Sequence, residues 1–195
     1  MSTTGAIKRT AHPLYSIGHG NRSSDEFLSL LSTFGIKYLN DIRSYPCSKR
    51  NPQFNRENLE IALDKAGISY TWLVDLGGFR GDGFANKSPH VAFRNPRLRN
   101  YAAYMSTESF RTAAHKLSRL VTLGPACFMC AEVLPQRCHR LLVSDFLWVH
   151  GIKVTHILDS QRIAVHELSR FATINKGQVV YNRIAPPQME LRQND

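Results

Sequence analysis

Phe128-Met129-Cys130-Ala131-Glu132-Val133-Leu134-Pro135-Gln136-Arg137-Cys138-His139-Arg140 gathers a carboxylate, two thiols, an imidazole and two guanidinium groups in one short stretch. An apolar run from Ala126 to Met129 comes before it, and a second, Leu141 to Val149, comes after. The pattern reads as strand, loop, helix start. The strand end offers Glu132, and the helix start offers free backbone N–H groups beside Arg137 and Arg140. Such a place suits an anion or a polarised substrate. Cys138 is a candidate nucleophile, because a helix N-terminus and neighbouring arginines favour the thiolate. Its position after the loop departs from phosphatase and sulfurtransferase cradles, where the cysteine opens the loop. Packing of the helix start is therefore the stronger expectation for Cys138. His139 is expected either to donate a structural hydrogen bond at the helix start or to act in catalysis.

These groups need elements to hold them. The strand Leu14 to Ile17 ends at Gly18-His19, and Ser23 with Glu26 forms a capping box for a helix over Ser24 to Phe34. Further strands are expected over Ile36 to Asn40, Ile68 to Leu73 and Lys153 to Leu158, with helices over Arg56 to Ala66, Leu98 to Met105, Ser109 to Leu120 and Arg140 to His150. The C-terminal part is expected to hold a helix around Val165 to Phe171 and a strand near Gln178 to Tyr181. Strands alternating with helices define an α/β domain: an open, mostly parallel sheet with helices on both faces. A single domain is expected over residues 14–185, between tails at 1–13 and 186–195, with a long basic loop at 79–97.

In open sheets, ligands bind beyond the carboxyl ends of the strands. The strand ends here carry His19, Asp41, Arg43, Gly77-Gly78, Glu132 and His156. Asp41 and Glu132 could divide acid and base work, or one could stabilise a cationic transition state while the other orients water. Asp41 could instead pair with Arg43 or Arg22. His19 is a candidate proton shuttle, turned outward after Gly18. His156 fits a core histidine. A metal site drawn from His19, Asp41, Glu132, Cys138 and His139 lacks any recognised zinc spacing, so no metal and no cofactor are expected. Cys127 and Cys130 stand at C-x-x-C spacing, but a strand turns them to opposite faces.

The 195 residues carry a net charge of +10, which favours a polyanionic partner, nucleic acid first and DNA over RNA. Arg43, Ser44, Lys49 and Arg50 share a loop with Tyr45 and Phe54, a pattern that suits phosphate contact and base stacking. The longer loop repeats it with Phe79, Arg80, Phe84, Lys87, Phe93 and Arg94. No long apolar stretch suggests a membrane span. Four cysteines without a disulfide pattern point to reduced thiols and a cytoplasmic setting.

Ser16-Ile17-Gly18-His19-Gly20-Asn21-Arg22-Ser23, Asp41-Ile42-Arg43-Ser44-Tyr45-Pro46, Asn51-Pro52-Gln53-Phe54, Leu76-Gly77-Gly78, Tyr101-Ala102-Ala103-Tyr104-Met105, Cys130-Ala131-Glu132 and Cys138-His139-Arg140 occur in this order. Together they resemble the motifs of the family of domain of unknown function 488, from about Tyr15 to about Ala172. The resemblance implies that the strand-end residues are the family's motif positions. Gly20 stands where members often carry serine.

The expectation is a nucleic-acid-binding hydrolase that processes base or backbone, as in glycosylase-type repair, with an extruded nucleotide at the strand ends. Glu132, Asp41 and His19 would do the chemistry. Arg43, Arg137, Arg140 and His139 would bind phosphate, with Ser44, Lys49, Arg50, Tyr45, Phe54 and Arg94 contributing. A cysteine-dependent enzyme acting on small anions and a non-catalytic nucleic-acid-binding module are the alternatives.

Overall fold

A computed structural model describes residues 12–81 and 88–183. Phe84, Lys87, most of the N-terminal tail and the whole C-terminal tail lie outside the described residues. The described chain forms one α/β domain. Its first strand, β1 (Leu14–Gly18), leads through α1 (Ser24–Thr33) to β2 (Tyr38–Asp41) and through α2 (Arg56–Lys65) to β3 (Ser69–Trp72). Then come α3 (Pro96–Tyr104), α4 (Glu108–Leu120), β4 (Ala126–Cys130), α5 (Arg140–Val149) and β5 (Val154–Ile157). Three short strands close the described chain: β6 (Ile163–Val165), β7 (Ala172–Asn175) and β8 (Gln178–Tyr181).

The six-stranded sheet has the order β3-β2-β4-β1-β5-β6, parallel except for the edge strand β6. Alternation along β4 serves both faces. Ala126, Phe128 and Cys130 join the core under α3, α4 and α5 with Tyr101, Phe110 and Leu142. Cys127 and Met129 join the core under α1 and α2 with Phe27, Leu31, Leu59 and Leu63. Cys127 and Cys130 thus lie on opposite faces. α1 begins at the expected capping box: Glu26 N–H donates to Ser23 Oγ (3.1 Å) and Ser23 N–H to Glu26 Oε2 (2.7 Å). β1 departs through α1 on one face and β4 through α5 on the other. The two neighbouring strands thus send their chains to opposite faces of the sheet at their carboxyl ends, where ligands of open sheets bind.

The C-terminal part corrects the sequence reading. No helix forms over Val165 to Phe171. Ile163 to Val165 pairs antiparallel with β5, and β7 and β8 form a hairpin turned at Lys176-Gly177, with φ of 48° and 77°. A buried carboxylate is the reason. Asp145 on α5 accepts hydrogen bonds from His166 Nε2 (3.0 Å), Ser169 N–H (2.8 Å) and Tyr181 Oη (2.9 Å), which draws the segment between them into irregular backbone. His156, at the end of β5, is a core histidine in the same network. Its Nε2 donates to His166 Nδ1 (3.0 Å), and its Nδ1 accepts from Ser16 Oγ (2.6 Å). Asp145→Ala orphans two buried donors, on His166 and Tyr181, and the partly buried Ser169 N–H; each buried one costs roughly 1–3 kcal/mol, so the substitution should destabilise the fold by at least about 2 kcal/mol. A urea midpoint close to that of the wild type would refute this account of the C-terminal fold.

Among the described residues, no helix is long and apolar enough to cross a membrane.

Candidate active site

A cleft of about 680 Å³ opens at the carboxyl ends of β1, β2 and β4. Its walls are residues at or beyond the strand ends: His19 and Asn21 after β1, Arg43, Ser44, Tyr45, Cys47 and Ser48 after β2, Gly78 after β3, and Cys130 to Leu134 with Arg137 and His139 around the β4–α5 loop. The sheet brings together most of the predicted strand-end groups. It does not give them equal access.

Asp41 is fully buried and presents no free oxygen to the cleft. Its Oδ1 accepts from the Arg43 backbone N–H (2.9 Å) and Nε (2.9 Å). Its Oδ2 accepts from Arg43 Nη2 (2.5 Å) and Tyr70 Oη (2.8 Å). Asp41 therefore corrects to an anchor for Arg43, the alternative pairing weighed above. Arg43 in turn donates to the Phe54 carbonyl (2.9 Å) and approaches His19 Nε2 (3.4 Å). Burial alone would lower its pKa, but the hydrogen bond and charge of Asp41 outweigh burial and raise it. Phe54 is likewise no stacking surface for a base. It is buried and stacks on the His19 ring, centroids 4.2 Å apart.

His19 donates from Nδ1 to the Gly20 carbonyl (2.8 Å), so in the neutral ring the lone pair is on Nε2, facing Arg43. Burial pushes its pKa down to about 4, Arg43 adding to the effect against the bond to Gly20. A neutral, fixed ring suits positioning better than proton shuttling near neutral pH. Burial likewise lowers His90 to about 4 and, with His166 and Arg140 adding, His156 to about 3. In the unfolded chain these rings return to about 6.5 and bind more protons than the fold does between roughly pH 6.5 and 4. Stability from these groups is therefore full above that window and falls as the pH drops through it. The urea midpoint should be lower at about pH 5 than at about pH 7.5; a flat or rising midpoint on acidification contradicts the assignment.

Arg140 corrects from phosphate ligand to internal brace. It is fully buried, and its guanidinium donates to the Glu132 carbonyl, the Val133 carbonyl (3.0 Å) and Ser16 Oγ (3.3 Å). It thereby fixes the backbone of the loop that carries Glu132. The Glu132 side chain stays exposed, and it is the carboxylate-bearing residue among those lining the cleft. Arg137 is exposed on the same wall. Gly18 is required where β1 meets this loop, because a Cβ there would overlap the Glu132 carbonyl. At Gly20, φ is +57° and a Cβ would press on Val133, so serine would be strained at that position.

Ser44 lines the cleft, but its Oγ accepts from the Phe79 N–H (2.7 Å), which ties the two basic loops together. Tyr45 and Phe79 are 68 % and 58 % exposed, with centroids 6.3 Å apart. Lys49 and Arg50 are exposed further along the Tyr45 loop. Arg94 is exposed too, but it lines a separate hollow with Phe93, Leu141 and Phe171.

Cys138 and His139 sit at the start of α5, and Cys130 ends β4. Among the cysteines, Cys130 and the exposed Cys47 line the cleft; Cys138 lies behind them, almost fully buried. Pairing of the two neighbouring sulfurs pushes the Cys130 thiol up, burial adding, and holds Cys138 well below the ordinary thiol value despite burial. His139 donates from Nε2 to the Ile42 carbonyl (2.9 Å). Cys47, Ser48, Asn21 and Asn51 also line the cleft, and none of them is among the residues expected there from the sequence. Asn21 and Asn51 both fall within the family motifs, which was the signal for them.

Residues 23–147 match the model of a domain of unknown function, DUF488, and the chain belongs to that family. No curated protein and no solved structure matches the chain.

Proposed function

We propose that the protein is a hydrolase acting on nucleic acid, DNA over RNA, which processes a base or the backbone of a nucleotide held in the cleft. The observation that carries this reading is the exposed aromatic pair Tyr45 and Phe79 beside a cleft walled by Glu132 and Arg137. Aromatic faces in water at a basic rim suit an unstacked base, and Lys49, Arg50 and Arg137 suit its phosphates. Glu132 is the acid–base or charge-stabilising group. Asp41, Arg43, His19 and Arg140 hold the cleft in shape. The net charge of +10 supports the same partner.

Fluorescence anisotropy with labelled single-stranded and duplex oligonucleotides tests the binding half. Binding should weaken steeply as salt is raised. Tyr45→Ala should lower affinity by about 1–3 kcal/mol, roughly 5- to 150-fold, if one base stacks there. Turnover is followed on oligonucleotides carrying damaged bases and on undamaged controls. Absence of binding at low salt overturns the reading. Salt-dependent binding with no turnover on any substrate assigns a non-catalytic module instead.

A further inference from the structure

We propose that Cys130, Cys138 and His139 bind a zinc-class divalent metal ion, with its fourth coordination position open to the cleft. The two Sγ atoms and one ring nitrogen all lie within 4.8 Å of one another. His139 Nδ1 is 3.7 Å from Cys138 Sγ and 3.9 Å from Cys130 Sγ. Tetrahedral zinc with ordinary Zn–S and Zn–N bonds separates sulfur from nitrogen by about 3.6 Å, so both sulfur–nitrogen separations are already within tenths of an ångström of that value.

The surroundings fit a ligand set better than a packed core. The Ile42 carbonyl can only accept, so the proton of neutral His139 is on Nε2 and Nδ1 turns its lone pair toward both sulfurs. A ligating histidine is oriented in this way by a backbone carbonyl on its other nitrogen. Gly78 packs on the His139 ring so closely that a Cβ would overlap it, and Tyr101 packs at 5.0 Å between centroids. The ring is therefore fixed before any ion arrives. The Arg140 backbone N–H donates to Cys138 Sγ (3.5 Å), an outer-shell bond that a metal-bound thiolate accepts. Two sulfurs and an imidazole select zinc over magnesium or calcium, which take oxygen. Three protein ligands leave a tetrahedral ion one position, and Cys130 and His139 both line the cleft. The site is independent of the nucleic-acid reading, and either can fail without the other.

The test uses the full chain, reduced and handled without oxygen, stripped with a chelator and titrated with cobalt(II), then zinc. One equivalent of cobalt should give a thiolate-to-metal absorption in the near ultraviolet and the intense visible bands of tetrahedral cobalt. Zinc should displace it. Cys138→Ser should weaken uptake at least about 100-fold and leave any bound cobalt a weaker sulfur absorption, from Cys130 alone, and Gly78→Ala, which crowds His139, should weaken uptake roughly 10- to 100-fold. Cys47→Ser should leave uptake unchanged. The wild-type spectrum decides alone if a variant does not fold. The proposal is overturned by no stoichiometric uptake in the reduced wild type, by a spectrum without the sulfur band, or by an unchanged spectrum in Cys138→Ser. A chain that only forms a Cys130–Cys138 disulfide in air, and takes up no metal after reduction, overturns it as well.

Discussion

Asp41→Ala should cost the fold roughly 3–5 kcal/mol, the range for breaking a buried ion pair from one side. The reason lies in what the carboxylate leaves behind. Arg43 is almost fully buried, and its contact with Asp41 is 2.5 Å. Without Asp41, a guanidinium and the Tyr70 hydroxyl lose their acceptor in a place water hardly reaches. Arg43 also holds the Phe54 carbonyl, and Phe54 supports the His19 ring, so one wall of the cleft should loosen with it. Removing both charges in Asp41→Ala/Arg43→Leu should restore much of the lost stability, since no buried charge then stands unpaired. Chemical denaturation of the three proteins measures this directly. An Asp41→Ala protein as stable as the wild type, defective only in turnover, would return Asp41 to the chemistry.

Glu132→Gln should do the reverse. Its side chain is exposed, and what fixes the residue is its backbone carbonyl, held by Arg140. The amide keeps the size and leaves that bond intact, so the unfolding midpoint should stay within about 0.5 kcal/mol of the wild type. Under the proposed function, turnover on the oligonucleotide should fall roughly 100- to 10,000-fold, the usual contribution of a general acid or base. Oligonucleotide binding should persist. Full activity in Glu132→Gln would remove the carboxylate from the proposed mechanism.

The two substitutions also mark what could be read from residues alone. The fold was legible because β4, α1 and α5 carry their signals locally: an apolar run, a capping box, a helical stripe. The cleft was legible because an open parallel sheet collects strand ends, whatever their separation in the chain. Access was not. Asp41 and Arg43, two apart, could equally have faced the cleft or each other, and only packing by Tyr70 and Phe54 decides. Arg140 stands at a helix start, where side chains lean back toward the preceding turn. Here that turn is the Glu132 loop, so the guanidinium goes inward. Cys130 ends a buried strand, a setting that by itself points only to packing. Its meeting with Cys138 and His139 depends on how the intervening loop folds back. β8 is the strand expected near Gln178 to Tyr181. β6 and β7 were hidden for a similar reason: Asp145 claims the backbone and side chains of a segment whose own pattern allows a helix.

The brace on the Glu132 loop does not end at Arg140. Ser16 Oγ accepts from Arg140 and donates to His156, His156 donates to His166, and His166 donates to Asp145, which also receives the Tyr181 hydroxyl. Each imidazole accepts at one nitrogen and gives from the other, so the protons run one way along the series, and turning over a single ring would break the bonds on both its sides. The rim of the cleft and the hairpin that closes the described chain are two ends of one directional chain, and the setting of the loop is keyed to a carboxylate more than a hundred positions beyond β1.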